Sequence, residues 1–81
     1  MLDTHQLNVF IAAAEALSFS EAARRLHMSQ PSVSQHIQSL ERHFDKELFV
    51  RTGRHVMLSD AGRALLPLAR DIVSRSANIE E

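Results

Sequence analysis

The polar residues of segment 29–40 are spaced like a helix face that could hydrogen-bond to the edges of nucleic-acid bases. At about 100° per residue, SQPSVSQHIQSL places Val33, Ile37 and Leu40, followed by Phe44, on one side. The other side carries short, uncharged groups, namely Pro31, Gln35 and Gln38, with Ser34 and Ser39 at its flanks. Gln and Ser can reach base edges in a DNA major groove without the desolvation cost of a carboxylate. The alternative is an ordinary solvated helix face.

A second candidate site is the basic segment Arg51-Thr52-Gly53-Arg54-His55. It lies between two short apolar runs, 48–50 and 56–58, that are typical of the strands of a hairpin. A wing of this kind beside a helix can lay its tip along phosphates or into a narrow, electronegative minor groove, which attracts Arg. A solvated hairpin tip is the alternative.

The charge of the chain is unevenly distributed. Residues 1–23 contain three acids and no Lys or Arg, residues 24–63 contain seven basic residues against four acids, and residues 64–81 contain two against three. The basic residues therefore coincide with the polar helix and the hairpin. Electrostatic affinity depends on local phosphate neutralisation, so a net charge of −1 is compatible with a nucleic-acid partner and predicts modest non-specific affinity.

Composition argues against several other classes of protein. The chain has no cysteine, so it has neither disulfides nor thiolate metal sites. No apolar run approaches a membrane span, and the N-terminus lacks a secretion pattern, so we expect a cytoplasmic chain. The five histidines are scattered, without the i, i+4 spacing of a helical zinc site, and no glycine-rich phosphate loop is present. We therefore expect no enzyme activity, metal or cofactor, although His36, near the polar face, could make affinity pH-sensitive.

Capping signals place the elements that would hold these residues. Asp3 with Gln6, and Ser18 with Glu21, have the spacing of capping boxes. The first helix then carries a core stripe of Leu7, Phe10, Ile11, Ala14 and Leu17. The second runs to about His27, and Ser29 caps a third that ends near Asp45. Because only two residues separate the second and third helices, the spacing is that of a helix-turn-helix, although the usual turn glycine is missing.

The last helix begins at Ser59-Asp60 and carries more apolar surface than a domain of this size can cover. The apolar stripe includes Leu65, Leu68, Ala69, Ile72 and Ile79. Such a projecting helix is typical of a dimerisation element. Pro67 predicts a bend or a local break.

Five runs in this order resemble one known family. They are FSEAARRL (19–26), SQPSVS (29–34), LE (40–41), LFVR (48–51) and LSDAG (58–62), and together they resemble the N-terminal domain of LysR-type transcriptional regulators. The resemblance implies a mainly α fold, in which residues 1–58 form a winged helix-turn-helix of three helices and a two-stranded wing. Residues 59–81 would then be a linker and dimerisation helix. Family members continue into a longer sensing domain. The chain would then be an excised DNA-binding portion, which we favour, or a natural short form.

The resemblance also implies roles for individual residues. Those facing bases are Gln30, Pro31, Ser34 and Gln35, and those holding phosphates or adjacent bases are Ser29, Ser32 and Gln38. Arg54 matches a wing-tip residue that enters the minor groove. Arg51 lies at the base of the wing, where it could contact phosphate or pin the wing through Glu41.

Three positions depart from the family pattern. Gln35 stands where a long cation is common, and Ser32 stands where many members have proline or alanine. Asp45-Lys46 replaces the usual glycine, so that Asp45 must make the turn.

The resulting expectation is a dimeric, sequence-specific module that binds double-stranded DNA at an interrupted palindromic operator and regulates transcription. A tetramer is the further assembly that the resemblance allows for a full-length protein. The alternative is a winged helix that grips a protein partner, with affinity that barely changes with salt.

Overall fold

Four helices and one hairpin make up the chain. A computed structural model describes residues 3–53 and 55–80, with side chains up to residue 76. In chain order the elements are α1 (Thr4–Ala16), α2 (Phe19–Leu26), α3 (Gln30–Phe44), β1 (Phe49–Thr52), β2 (His55–Leu58) and α4 (Asp60–Glu80). The predicted fold class, a mainly α winged helix-turn-helix with a long last helix, is confirmed.

The first three helices begin at the predicted caps. Each cap oxygen accepts a hydrogen bond from the amide three residues on, at 2.8 Å for Asp3, 3.1 Å for Ser18 and 3.2 Å for Ser29. The return bonds of the predicted capping boxes are absent from the described contacts. Instead, Gln6 Nε2 donates to Ser39 Oγ at 3.2 Å and so ties α1 to α3. The side chain of Gln6 therefore bonds to a residue distant in sequence and not to the backbone of its own helix cap.

Left-handed residues end the same three helices, and none of them is glycine. They are Leu17 at φ 50°, His27 at φ 55° and Asp45 at φ 54°. The turn between α2 and α3 therefore forms without its usual glycine, closed by the bond from Met28 N to Ala23 O at 2.9 Å. Asp45 makes the turn after α3, as predicted. Leu17 was predicted in the core, but it is 43% exposed because the turn carries it off the helix stripe.

The core lies where α1, α2, α3, the start of β1 and α4 meet. Phe49 centres it, with ring centroids 5.7 Å from Phe10 and 5.3 Å from Phe19, both edge to face. Leu40 and Leu48 are buried beside these rings. This packing fixes β1, and with it the wing, against α3.

The wing is a tighter hairpin than the sequence predicted. The strands pair antiparallel from Phe49 opposite Leu58 out to Thr52 opposite His55. Only two residues therefore separate the paired strands, instead of the expected five-residue tip. Gly53 has φ +60°, the conformation that two-residue hairpin loops require at their first position.

The last helix passes Pro67 without the predicted break. Pro67 is exposed, so the carbonyl four residues earlier, which lacks an amide partner, can bind water instead. Ala69 is fully buried, and Leu65, Leu66 and Val73 pack against the same core. Consequently the first half of α4 shares one hydrophobic core with α1.

Candidate nucleic-acid interface

The face of α3 that the sequence singled out points away from the core. Val33, Ile37 and Leu40 are at most 2% exposed and dock the helix. Five of the seven predicted contacts on this segment are exposed: Ser29, Gln30, Pro31, Gln35 and Gln38. Ser32 and Ser34 are half-buried at the flanks. The exposed face thus carries amides, a proline ring and hydroxyls, which suit hydrogen bonding to base edges.

Ser29 and Ser32 are already engaged with each other. Ser29 Oγ donates to Ser32 Oγ at 2.9 Å and accepts from Ser32 N at 3.2 Å. Their first role is therefore to close the N-terminus of α3. Because a hydroxyl oxygen has two lone pairs, each can still accept one further bond, and Ser32 can also donate its own proton.

A groove of about 530 Å³ separates α3 from β1, and we call it the helix–wing groove. It brings together three of the predicted site residues, Ser34, Gln38 and Arg51. Its other walls are formed by Phe19, Ile37, Glu41, Glu47, Phe49 and Val50. The groove is open and mostly polar, with a cation on one wall and carboxylates towards the C-terminal end of α3.

Arg51 rests on an aromatic ring that the sequence analysis had assigned no role. Its guanidinium carbon lies 4.9 Å from the centroid of Phe19. The predicted alternative, an ion pair between Arg51 and Glu41, is wrong, because Glu41 Oε2 accepts from Leu48 N at 2.8 Å and Phe49 N at 3.4 Å instead. Phe19 directly follows the cap Ser18, but only the fold shows that β1 crosses it.

The arginines of α2 are held by one carboxylate. Glu21 pairs with Arg24 at 2.5 Å and with Arg25 at 3.1 Å. Hydrogen bonds from Arg24 and then Arg25 lower the pKa of Glu21 to about 2, and Glu21 raises the pKa of Arg24 in turn. The two arginines therefore contribute less free positive charge than the sequence count implies.

Three other cations have no carboxylate within 4.0 Å among the described residues. They are Arg42, Lys46 and Arg51. By contrast Arg63 pairs with Asp60, and α4 pairs Arg70 with Glu15 across to α1. The cations that remain available for an anionic partner lie at the C-terminal half of α3 and on β1.

The remaining titratable residues form no second site. His5 and His36 contact each other edge to face, with ring centroids 4.9 Å apart. Within residues 3–53 and 55–80, no three His, Cys, Asp or Glu side chains converge in a way that could hold a metal ion. None of the described helices is both long and apolar enough to cross a membrane.

The predicted dimer residues divide into three groups. Leu68 is 61% exposed and Ile72 46% exposed, while Leu65 is half-buried. Ala69 was wrongly predicted, because it is 0% exposed and packs inside its own core, so it cannot meet a partner. The side chain of Ile79, like the predicted minor-groove residue Arg54, lies outside the described residues.

An apolar groove runs beside the exposed leucines, between the end of α3 and α4. Its volume is about 480 Å³, and it is lined by Phe44, Lys46, Leu48, Asp60, Ala61, Ala64, Leu65 and Leu68. Phe44 is 36% exposed there. The sequence analysis placed Phe44 only on the buried side of α3, so its exposure is a feature that it missed.

A helix docked behind a short turn, with a two-stranded hairpin beside it, defines a winged helix-turn-helix protein. The sequence profile of the bacterial regulatory helix-turn-helix proteins, lysR family, matches residues 4–63. The chain belongs to this family.

Known proteins agree with this assignment. An HTH-type transcriptional regulator of the ibpB-leuC intergenic region of Azotobacter vinelandii is 55% identical over 73 residues, which are 90% of this chain and 51% of that protein. The chain is similar to the CbnR DNA-binding domain in complex with DNA, at 38% identity, TM-score 0.92, and coverage of 98% of this chain and 91% of that one. The chain is also similar to the BenM DNA-binding domain in complex with catB site 1 DNA, at 29% identity, TM-score 0.91, and coverage of 96% of this chain and 88% of that one. The chain spans only between 25% and 51% of the length of the first two regulators it matches.

Proposed function

We propose that this chain is the sequence-reading, double-stranded-DNA-binding module of a bacterial transcription regulator, with α3 in the major groove. One observation carries the proposal, namely the uncharged, hydrogen-bonding face of a helix that is rigidly docked by Val33, Ile37 and Leu40. Gln30 and Gln35 suit bidentate contacts to adenine, and the Pro31 ring suits a thymine methyl group. The regulators and DNA complexes it resembles support the same function and give no reason to assign catalysis.

The wing would then reach the adjacent minor groove. A helix in the major groove and a wing in the next minor groove have one sugar-phosphate strand between them, and the helix–wing groove lies at that place. Arg51 is exposed and forms no ion pair with a carboxylate of the described residues. It would contact phosphate together with Gln38, which lines the same groove. Arg54, through the family resemblance, would enter the minor groove.

A homodimer through α4 completes the proposal. Leu68 and Ile72, flanked by the half-buried Leu65, form an apolar strip that one copy leaves largely uncovered, and Ile79 continues it by sequence spacing. A two-fold dimer presents two recognition helices to half-sites separated by whole turns of roughly 34–36 Å. The operator would therefore be an interrupted palindrome. The protein would act in the cytoplasm, and any tetramer would belong to a longer protein.

Selection from a randomised duplex library, followed by sequencing, tests the base-reading role. We expect an inverted repeat to be enriched, and Gln30→Ala to lose about 1–3 kcal/mol of discrimination at one position of each half-site. Asn8→Ala, an exposed change on α1, is the matched control and should leave the motif unchanged. Binding without any enriched sequence, collapsing as salt rises, would limit the chain to phosphate contacts and overturn the proposal.

The minor-groove role is tested with Arg54→Ala on the enriched duplex. We expect affinity to fall mostly on duplexes whose flanks are A·T-rich, since those flanks have a narrow, negative minor groove. An equal loss on A·T-rich and G·C-rich flanks would contradict minor-groove insertion.

The dimer is tested by sedimentation with and without the enriched duplex. Leu68→Asp should shift the mass to that of one chain, because a charge would be buried at the two-fold contact. Ser74→Asp, an exposed change of the same charge, is the control. A wild-type protein that stays monomeric on palindromic DNA would exclude the dimer.

A further inference from the structure

The carboxylate of Glu41 joins the recognition helix to the wing. Glu41 lies in the last turn of α3, and its Oε2 accepts from Leu48 N at 2.8 Å and from Phe49 N at 3.4 Å. Leu48 and Phe49 are 1% and 6% exposed, so water could not easily replace that oxygen. A charged acceptor makes these bonds stronger than ordinary amide bonds.

The turn after α3 brings the two amides to this carboxylate. Lys46 N donates to Glu41 O at 3.1 Å and Asp45 N donates to Arg42 O at 3.3 Å, the bond pattern of a helix end that reverses the chain. Glu41 therefore holds the reversal with its backbone oxygen and the start of β1 with its side chain. The chain reversal after α3 and the start of β1 therefore both depend on Glu41.

The other side of the same segment is fixed to α4. Ser59 N donates to Leu48 O at 3.0 Å, and Ser59 Oγ donates to Glu47 O at 2.6 Å. Segment 47–49 is thus clamped between α4 and α3. Of these two attachments, only the Glu41 bonds join the segment to α3, and Glu41 also lines the helix–wing groove. Together with the packing of Phe49, these bonds hold β1 beside the recognition helix.

We propose that Glu41 is a positioning residue for DNA recognition, which fixes the width of the helix–wing groove to admit one sugar-phosphate strand. The inference rests on the function proposed above. Arg51, two residues beyond Phe49 on the same strand, is placed against that sugar-phosphate strand by the Glu41 bonds. The Oε2 atom of Glu41 is engaged by the chain's own amides, so its role is to position β1 and not to bind DNA directly.

Four variants separate the effect of the length of the Glu41 side chain from the effect of its negative charge. Glu41→Gln removes the charge and keeps an oxygen at the same reach, whereas Glu41→Asp keeps the charge and retracts it by one methylene. Glu41→Ala removes both. Glu47→Gln is the control, since Glu47 lines the same groove and only its backbone carbonyl is bonded in the described structure.

Affinity is measured by fluorescence anisotropy on the enriched duplex over a range of salt, with circular dichroism to confirm folding. We expect Glu41→Asp and Glu41→Ala to flatten the slope of log affinity against log salt by about 1, because the Arg51 phosphate contact is lost. The base preference at the position read by Gln30 should persist. Glu41→Gln and Glu47→Gln should keep the wild-type slope.

The distance between spin labels on α3 and β1 reports the position of the wing, and a change in stability alone would not alter it. Since the chain has no cysteine, Arg42→Cys and Thr52→Cys label α3 and β1 uniquely. The distance distribution should broaden in folded Glu41→Asp and remain narrow in Glu41→Gln, and this comparison holds even if Glu41→Ala does not fold. Unchanged distances and slope in Glu41→Asp would overturn the proposal. An equal affinity gain in Glu41→Gln, Glu41→Ala and Glu47→Gln, with none in Glu41→Asp, would also overturn it, because it would indicate charge repulsion only. Failure of the proposed function would show differently, as a wild-type protein that enriches no sequence.

Discussion

For the replacement of Gly62 by alanine, helix propensity predicts a higher free energy of unfolding, whereas tertiary packing predicts a lower one. Inside a helix, alanine is favoured over glycine by about 0.5–1 kcal/mol. In this structure, however, a Cβ at position 62 would lie 2.2 Å from the carbonyl oxygen of Leu48 and 2.8 Å from Leu58 Cδ2. Side-chain Cβ atoms essentially never approach closer than 3.0 Å, so the backbone must move.

The Leu48 carbonyl has little freedom to move. It accepts the bond from Ser59 N at 3.0 Å, while Leu48 N is held at 2.8 Å by Glu41. Overpacking of this kind costs about 1–3 kcal/mol, and loss of the Ser59 bond costs about 1 kcal/mol. After subtraction of the propensity gain, we expect Gly62→Ala to reduce the free energy of unfolding by about 1–3.5 kcal/mol.

Urea and thermal unfolding, followed by circular dichroism at 222 nm, measure the effect. For a domain of this size, each kcal/mol shifts Tm by about 4–8 °C, so a fall of roughly 4–28 °C is expected. The control is Gly53→Ala, where φ is +60° and no atom lies within 4 Å, so that only backbone strain of about 1–2 kcal/mol applies. A Gly62→Ala protein as stable as wild type, or more stable, would refute the packing argument.

Three further changes probe the helix ends and the wing. Asp45→Gly should raise stability by about 1 kcal/mol in urea unfolding, because glycine adopts the left-handed turn without strain, whereas Asp45→Ala should give no gain. Glu21 has its pKa lowered in the folded state, so it stabilises the fold above pH 4.5 and loses that contribution as pH falls towards about 2. The Tm difference between wild type and Glu21→Gln should accordingly shrink over that range, and a difference independent of pH would contradict the ion pairs. A double-mutant cycle of Phe19→Leu with Arg51→Gln should give a coupling of about 0.5–1 kcal/mol in unfolding, and strictly additive losses would exclude the cation–π contact.

Local signals in the sequence carried most of the secondary structure. The caps at Asp3, Ser18 and Ser29 lie where they were predicted, because a cap bond joins a side chain to an amide only three residues away. The periodic apolar residues of α3 likewise predicted which face would dock and which would be exposed. Interactions of this range depend on the neighbouring sequence and hardly on the rest of the fold.

Partners that are distant in sequence could not be read in the same way. The pairing of Gln6 with Ser39, and the placement of Arg51 over Phe19, exist only because the elements pack at particular angles and distances. An ion pair between Arg51 and Glu41 was one of two alternatives that the sequence left open, but the Glu41 carboxylate instead accepts hydrogen bonds from the buried amides of Leu48 and Phe49.

The sequence by itself determined a helix-turn-helix with a polar recognition face, a basic hairpin and a family resemblance that covers nearly the whole chain. The tertiary structure alone decided that Ala69 belongs to the core, that Leu17 is exposed and that the hairpin tip is two residues long. It also decided that Glu41 holds the wing. The physical reason is that burial and hydrogen-bond competition depend on where whole elements pack, whereas caps and periodic faces depend only on residues within one or two turns.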